Sequence, residues 1–272
     1  MEHRQFLCQQ FGLINPLHVS ESAWCDLPTE KLGVIEFGVK SIHLPRLVDF
    51  RKMSAVDKLK LLDRSLAWDR SHPTTKFFCA LLQSRSEAQE ISSHLSRQLL
   101  ISMPDRSVAL FRFYDPSVFR HLVWLLRSDQ LESILGPISK WTWQSVAGDW
   151  REINCDASRR KNGLGLCAEQ LGTLTRIGVL NRALLQLEES KPDHGCDPQY
   201  IDSLLNRAYV EWGFVNEADC ILFIEHSLRF GECFDQLPIF NARLKLVQQG
   251  LCSYVAASID ESVSEHKLSE DT

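Results

Sequence analysis

A chain of 272 residues with 44% hydrophobic and 24% charged residues, 13 Gly and 10 Pro has the composition of a globular protein of one large or two smaller domains. That composition excludes the disordered, collagen-like and low-complexity classes. Thirty Lys and Arg against 35 Asp and Glu leave a net charge of -5, so the global positive field behind non-specific nucleic-acid binding is missing and no nucleic-acid partner is expected.

Leu32 to Val39 (LGVIEFGV) and Lys76 to Gln83 (KFFCALLQ) are short apolar runs rich in Val, Ile and Phe, and both read as buried strands. Between them Ser54 has the character of an N-cap, Asp57 stands three residues on, and Val56, Leu59, Leu62 and Leu66 recur at helical spacing. Ser86-Glu-Ala-Gln89 has the form of a capping box, so a helix starting at Glu87 is expected to bury Ala88, Ile91, Leu95 and Leu99. Leu99 to Met103 and Ser107 to Tyr114, joined by Pro104-Asp105-Arg106, read as a hairpin. Its second strand would place Val108, Leu110, Arg112 and Tyr114 on one face and Ala109, Phe111 and Phe113 on the other. Asp115-Pro116 then supplies an N-cap and a first helical residue for a helix carrying Phe119, Leu122, Val123 and Leu126. A short helix from Asp129 ends at Gly136-Pro137, and Trp141 to Val146 pairs with Trp150 to Cys155 as a hairpin around Ala147-Gly148-Asp149.

Residues 156–163 (DASRRKNG) are polar and basic without apolar periodicity, and the domain boundary is placed there. Beyond it everything reads as helix. Leu166, Leu171, Leu174, Ile177, Leu180, Leu184 and Leu187 form one long stripe, closed by a breaker over Lys191 to Gly195. Asp197-Pro198 opens a second helix that buries Ile201, Leu204, Leu205, Ala208, Tyr209 and Trp212 and stops at Gly213. Asn216 caps a third helix with Leu222, Ile224 and Leu228, ending at Gly231, and a fourth follows Pro238 through Ala242, Leu246, Val247, Leu251, Tyr254 and Val255. The expected fold class is α+β: a mixed α/β lobe with a small sheet over 1–155, an all-helical lobe over 164–260 and a disordered tail over 261–272.

The chain offers little chemistry. Phosphate-binding glycine loops, the GxSxG nucleophile elbow, HExxH and the acidic calcium loop do not occur. His194 and Cys196 stand close in sequence but make at most half of a metal site, so no metal and no cofactor are expected. Nine cysteines with no CxxC spacing fit thiols in a reducing compartment better than a disulfide framework. The first ten residues lack the apolar stretch of a secretory signal, and no run of about 18 apolar residues occurs, so a cytoplasmic location without membrane insertion is expected. Arg112 and Asp115 are charged residues in apolar surroundings and must be paired or lie at an edge. Asp115 reads first as a helix cap and second as the carboxylate of a hydrolase-like site, for which no base or nucleophile can be named nearby. Trp141, Trp143 and Trp150 cluster; Trp141 and Trp143 share a face opposite Thr142 and would either pack under a helix or receive a partner.

The segment FRFYDPSVFRHLVWLL from Phe111, followed by the stretch Gln130 to Trp143 with its Gly136-Pro137, resembles the signature of the domain-of-unknown-function family 4123, the type VI secretion effector chaperones or adaptors. His43-Leu-Pro-Arg-Leu-Val48 is similar to that family's apolar-Pro-x-Leu-Val element, and Ser93-His-Leu95 to its short helix ending in His-Leu. The resemblance covers about residues 25–150, and the helical second half is similar in kind to the C-terminal lobe of such proteins. It makes Pro45, Arg112, Tyr114, Asp115 and Pro116 family landmarks, mainly structural, and brings no catalytic set. It implies a non-enzymatic adaptor that holds a toxic effector, through the effector's N-terminal region, in the cytoplasm. It further implies loading onto the VgrG spike through the spike's C-terminal region. Two other readings stand beside it: a hydrolase with its site near Asp115, and a regulatory scaffold acting through the helical lobe.

Overall fold

The computed structural model describes residues 1–33, 44–145, 148–155, 164–190 and 196–259. Its contacts divide the chain into two units, Met1–Ala168 and Glu169–Thr272. The first is mixed α/β and the second helical, as the composition of their apolar patterns requires.

The first unit opens with α1 (His3–Leu7), β1 (Phe11–Ile14), β2 (Thr29–Lys31), β3 (Arg46–Asp49), α2 (Ala55–Ser71) and β4 (Ala80–Gln83). It continues with α3 (Ala88–Gln98), β5 (Leu100–Ser102), β6 (Val108–Leu110), α4 (Pro116–Leu125), α5 (Ser128–Leu135), β7 (Lys140–Gln144) and β8 (Trp150–Asn154). Six strands make one sheet in the order β2-β3-β1-β4-β7-β8, every neighbour antiparallel; β5 and β6 form a separate two-stranded ribbon. All four residues of β1 are buried, which marks it as a strand covered on both faces. On one face Ile14, Val48 and Leu81 join Phe6 of α1, Leu61 and Leu62 of α2, and the rings of Phe50, Phe77 and Phe78. Gly12 is demanded by this packing, because a Cβ there would stand 2.7 Å from both Phe50 and Phe78. On the other face Trp141 of β7 stacks on Phe119 of α4, ring centroids 4.9 Å apart.

The local signals explain most boundaries. Ser54 caps α2 by accepting from the Asp57 amide, as its spacing predicts. α3 starts one residue later than the capping-box pattern predicts: Glu87, not Ser86, is the N-cap, and the Glu87 carboxylate is drawn instead to Arg51, 3.1 Å away. The strand expected from Leu32 lies mostly on residues outside the description; Leu32 and Gly33 are not strand, and the pairing is made by Thr29–Lys31 just before them. The second expected strand is cut to Ala80–Gln83. Likewise the hairpin strand ends at Leu110, so Arg112 and Tyr114 do not continue the face of Val108 and Leu110. Those two are half exposed while Phe113 and Tyr114, adjacent in sequence, are both buried. The expected alternation fails because the chain turns there toward α4. The Trp141–Trp150 hairpin forms in the expected place, with the Ser145 amide bonded to the Asp149 carbonyl.

The second unit holds α6 (Ala168–Ser190), α7 (Pro198–Val210), α8 (Glu217–Phe230), α9 (Pro238–Gln248) and α10 (Tyr254–Ile259). Asp197 and Asn216 cap α7 and α8 through the amides of Gln199 and Ala218. Asp202 of α7 binds Arg176 of α6 in a two-pronged pair, 2.6 and 2.8 Å, and also accepts from Thr173. Arg207 of α7 reaches Asp235 at 2.5 Å. The expected fourth helix is two: Gly250 takes φ 70° and the chain restarts at Tyr254. Its buried face is also not the one the apolar spacing predicts, since Phe240, Arg243 and Leu244 point inward while Ala242 and Leu246 are exposed. Two of the nine cysteines are fully buried, Cys79 in the first unit and Cys220 in the second; Cys8, Cys25, Cys167 and Cys233 are exposed. The breaker at 191–195, the linker at 156–163 and the tail from 260 lie outside the described residues.

Candidate functional site

The junction between β6 and α4 gathers the charged and polar residues that the sequence singles out. After Leu110 the chain turns, the Asp115 amide donating to the Arg112 carbonyl. Asp115 becomes the N-cap of α4, its Oδ1 accepting from the amide and hydroxyl of Ser117 at 2.9 and 2.7 Å. Pro116 fills the first helical position, where a missing N–H costs nothing. The other oxygen, Oδ2, accepts from Arg112 Nη2 at 2.6 Å. The pair is asymmetric: the Asp115 side chain is 9% exposed and that of Arg112 41%. One carboxylate therefore closes the turn, starts the helix and anchors a half-exposed guanidinium.

Tyr114 packs inward, its hydroxyl pushed up to about 12 by burial. Cys79 lies in the same neighbourhood, and burial drives its thiol far above the usual range, with the Asp115 charge adding to that. Burial also lowers the pKa of His18, against the pull of Asp115 and with the help of Arg112. Sequence reasoning missed His18 and Cys79 as neighbours of Asp115, for they lie on distant segments with no local signal linking them. The constellation keeps a protonated thiol, a protonated phenol and an aspartate whose oxygens are both engaged. As arranged, it is a set of packed and capped groups.

Other residues singled out by the resemblance also sit in packing contacts. Pro45 is buried immediately before β3, and its carbonyl accepts from the Leu32 amide. His43 lies outside the described residues. His94 of α3 donates from Nε2 to the Ile134 carbonyl of α5 at 3.0 Å, and Gly136, at φ 56°, ends α5 directly against that imidazole. A Cβ on Gly136 would stand 2.2 Å from His94 Nε2. The His-Leu and Gly-Pro elements of the sequence are thus two sides of one contact.

Trp141 and Trp143 are not offered to solvent, at 0% and 7% exposure. Phe119 of α4 covers both, stacked on Trp141 and edge-on to Trp143, and Phe113 lies tilted beside Trp141. Of the two alternatives for this strip, the structure shows packing under a helix. Thr142 between them is buried as well, since β7 is an inner strand. Among the described residues no group of three His, Cys, Asp or Glu side chains is placed to hold a metal ion. His194 is outside them, and Cys196 is half-buried. No described helix is long and apolar enough to cross a membrane.

What these residues define is a fold-building motif in an α+β unit, in which a strand, a capped turn and a helix are tied by one aspartate. Residues 45–133 match the model of a family described as a domain of unknown function, DUF4123. The match covers about a third of the chain, from Pro45 into α5, and is narrower than the 25–150 span of the resemblance. Arg112, Tyr114, Asp115 and Pro116 fall inside the match, Trp141 and Trp143 outside it. Comparison with curated proteins and with solved structures found no match.

Proposed function

We propose that this chain is a non-enzymatic adaptor of the type VI secretion system. It holds a toxic effector in the cytoplasm by the effector's N-terminal region and brings it to the C-terminal region of a VgrG spike. The observation that carries the reading is the DUF4123 match over residues 45–133, a family associated with such adaptors. The geometry at Asp115 supports it, because a carboxylate that caps α4 and anchors Arg112 has both oxygens committed to the fold. Two units of separate contact networks give room for two partners, each needing about 800 Å² for a specific complex. Linking two partners through one chain raises their effective concentration for each other.

The test is a pull-down of the tagged full chain from a lysate of its source at moderate salt, followed by mass spectrometry and reconstitution with purified candidates. Recovery of a spike protein together with a toxin, both bound directly, is the expected result. If neither is recovered and recombinant candidates also fail to bind, the adaptor reading falls.

A further inference from the structure

Among the described residues β8 is the last strand of the six-stranded sheet, with only β7 beside it. Its register pairs Trp141 with Ile153 and Trp143 with Arg151. The ladder runs on past both ends, through the Cys155 amide on the Ser139 carbonyl and the Ser145 amide on the Asp149 carbonyl. Hydrogen-bonded and non-hydrogen-bonded pairs alternate in an antiparallel ladder. Arg151 and Ile153 therefore spend both backbone groups on β7, while Trp150, Glu152 and Asn154 turn theirs to the open edge. Among the described residues these outward groups have no partner.

Open edges are usually blocked by a proline, a bulge, a covering segment or charged side chains, and of these β8 has the charges of Arg151 and Glu152. β8 contains no proline and pairs without a bulge over its five residues, and Arg151, Glu152 and Asn154 are exposed. The opposite edge, β2, is shorter and partly shut by α3, since Ser92 donates to the Lys31 carbonyl and Ser96 accepts from the Gly33 amide.

Charge narrows the occupant. Glu152 is neutralised on its own face by Lys140 at 3.0 Å, whereas Arg151, on the other face, has no acidic partner among the described residues. A second copy of this chain fits poorly. Antiparallel pairing of β8 with itself sets Arg151 against Arg151 when centred there and Arg151 against Ile153 when centred on Glu152, and centred on Ile153 it leaves Arg151 opposite Cys155, so none of these registers gives Arg151 an acidic neighbour directly opposite.

We propose that the open edge of β8 takes an extended segment of the protein's partner as an added strand, with an acidic residue beside Arg151 and an apolar residue two positions away beside Ile153. Main-chain bonds to Trp150, Glu152 and Asn154 supply affinity and the two side-chain positions supply selectivity. The inference rests on the adaptor reading for the existence of that partner.

The test uses the full chain and two synthetic capped nonapeptides that alternate Thr and Val, one Val being replaced by Glu in the first and by Lys in the second. Residue-resolved amide exchange should slow at least tenfold at Trp150, Glu152 and Asn154 with the acidic peptide. The Lys peptide should bind at least tenfold more weakly. Arg151→Glu, on an exposed side chain, should exchange the two preferences. Glu152→Pro, which removes an amide that β7 does not use together with the exposed ion pair to Lys140, should abolish protection at Trp150 and Asn154 while the circular dichroism of the folded chain is retained. Absence of protection, equal binding of both peptides, or no exchange of preference in Arg151→Glu overturns the proposal. Partners that still copurify with a chain failing these tests leave the adaptor reading standing and remove the β8 edge from it.

Discussion

At Asp115 one carboxylate bonds the Ser117 amide and hydroxyl with one oxygen and Arg112 with the other, so its replacement removes a cap and a charge-assisted bond together. Asp115→Ala is expected to lower stability by about 1–3 kcal/mol, and Asp115→Ser, which can still cap, by clearly less; thermal melts of the two variants check this. If the proposed adaptor role holds, binding by whatever fraction stays folded should persist. Gly136→Ala combines an unfavourable φ of 56° with a clash at His94 and should cost more than about 2 kcal/mol. Adding His94→Ala should recover part of that loss in a double-mutant cycle. The cap was legible in the sequence because its bonds span two residues. The His94–Gly136 contact was not, because its halves belong to different helices and only the fold brings them together.

For whole elements the same division holds. α4 was readable from Asp-Pro and its apolar stripe, and its burial follows from Phe119 lying over Trp141 and Trp143. Phe119→Ala should therefore cost about 3–5 kcal/mol, the usual loss for a deeply buried ring, measurable by urea titration with an unchanged m-value. The start of α9 after Pro238 was placed correctly, but the helix was run on into α10 and given the wrong face. Arg243 is buried with its guanidinium over the Phe240 ring, 5.3 Å from the centroid, so a charged residue occupies a core position that hydrophobic spacing assigns to solvent. Pairing across the sheet was likewise beyond the sequence: β1 lies between β3 and β4, and nothing local to Phe11–Ile14 says which strands flank it.

Across the whole molecule, acid should not act equally on the two units. His226 in α8 is buried against Phe234, Phe240 and Tyr254, with its Nδ1 2.7 Å from the Tyr254 hydroxyl. Burial lowers its pKa to about 4, with Arg243 and Arg229 adding to the effect. The unfolded chain takes up that proton near 6.5 and the folded one only near 4. The neutral ring thus contributes stability that is complete above pH 6.5 and falls away toward pH 4, by at most about 3 kcal/mol. The helical unit should lose stability between pH 6.5 and 4, and His226→Phe should flatten that dependence in denaturant titrations followed at several pH values.

The burial of one cysteine in each unit makes that comparison measurable without adding a probe. A disulfide reagent that reacts in mild acid will consume Cys8, Cys25, Cys167 and Cys233 at once, and will reach Cys79 and Cys220 only when the unit around each opens. Read by mass spectrometry of the labelled peptides, the two slow thiols are independent clocks. If acid opens the helical unit first, Cys220 will be modified while Cys79 is still silent, and the native chain will have timed its own two halves.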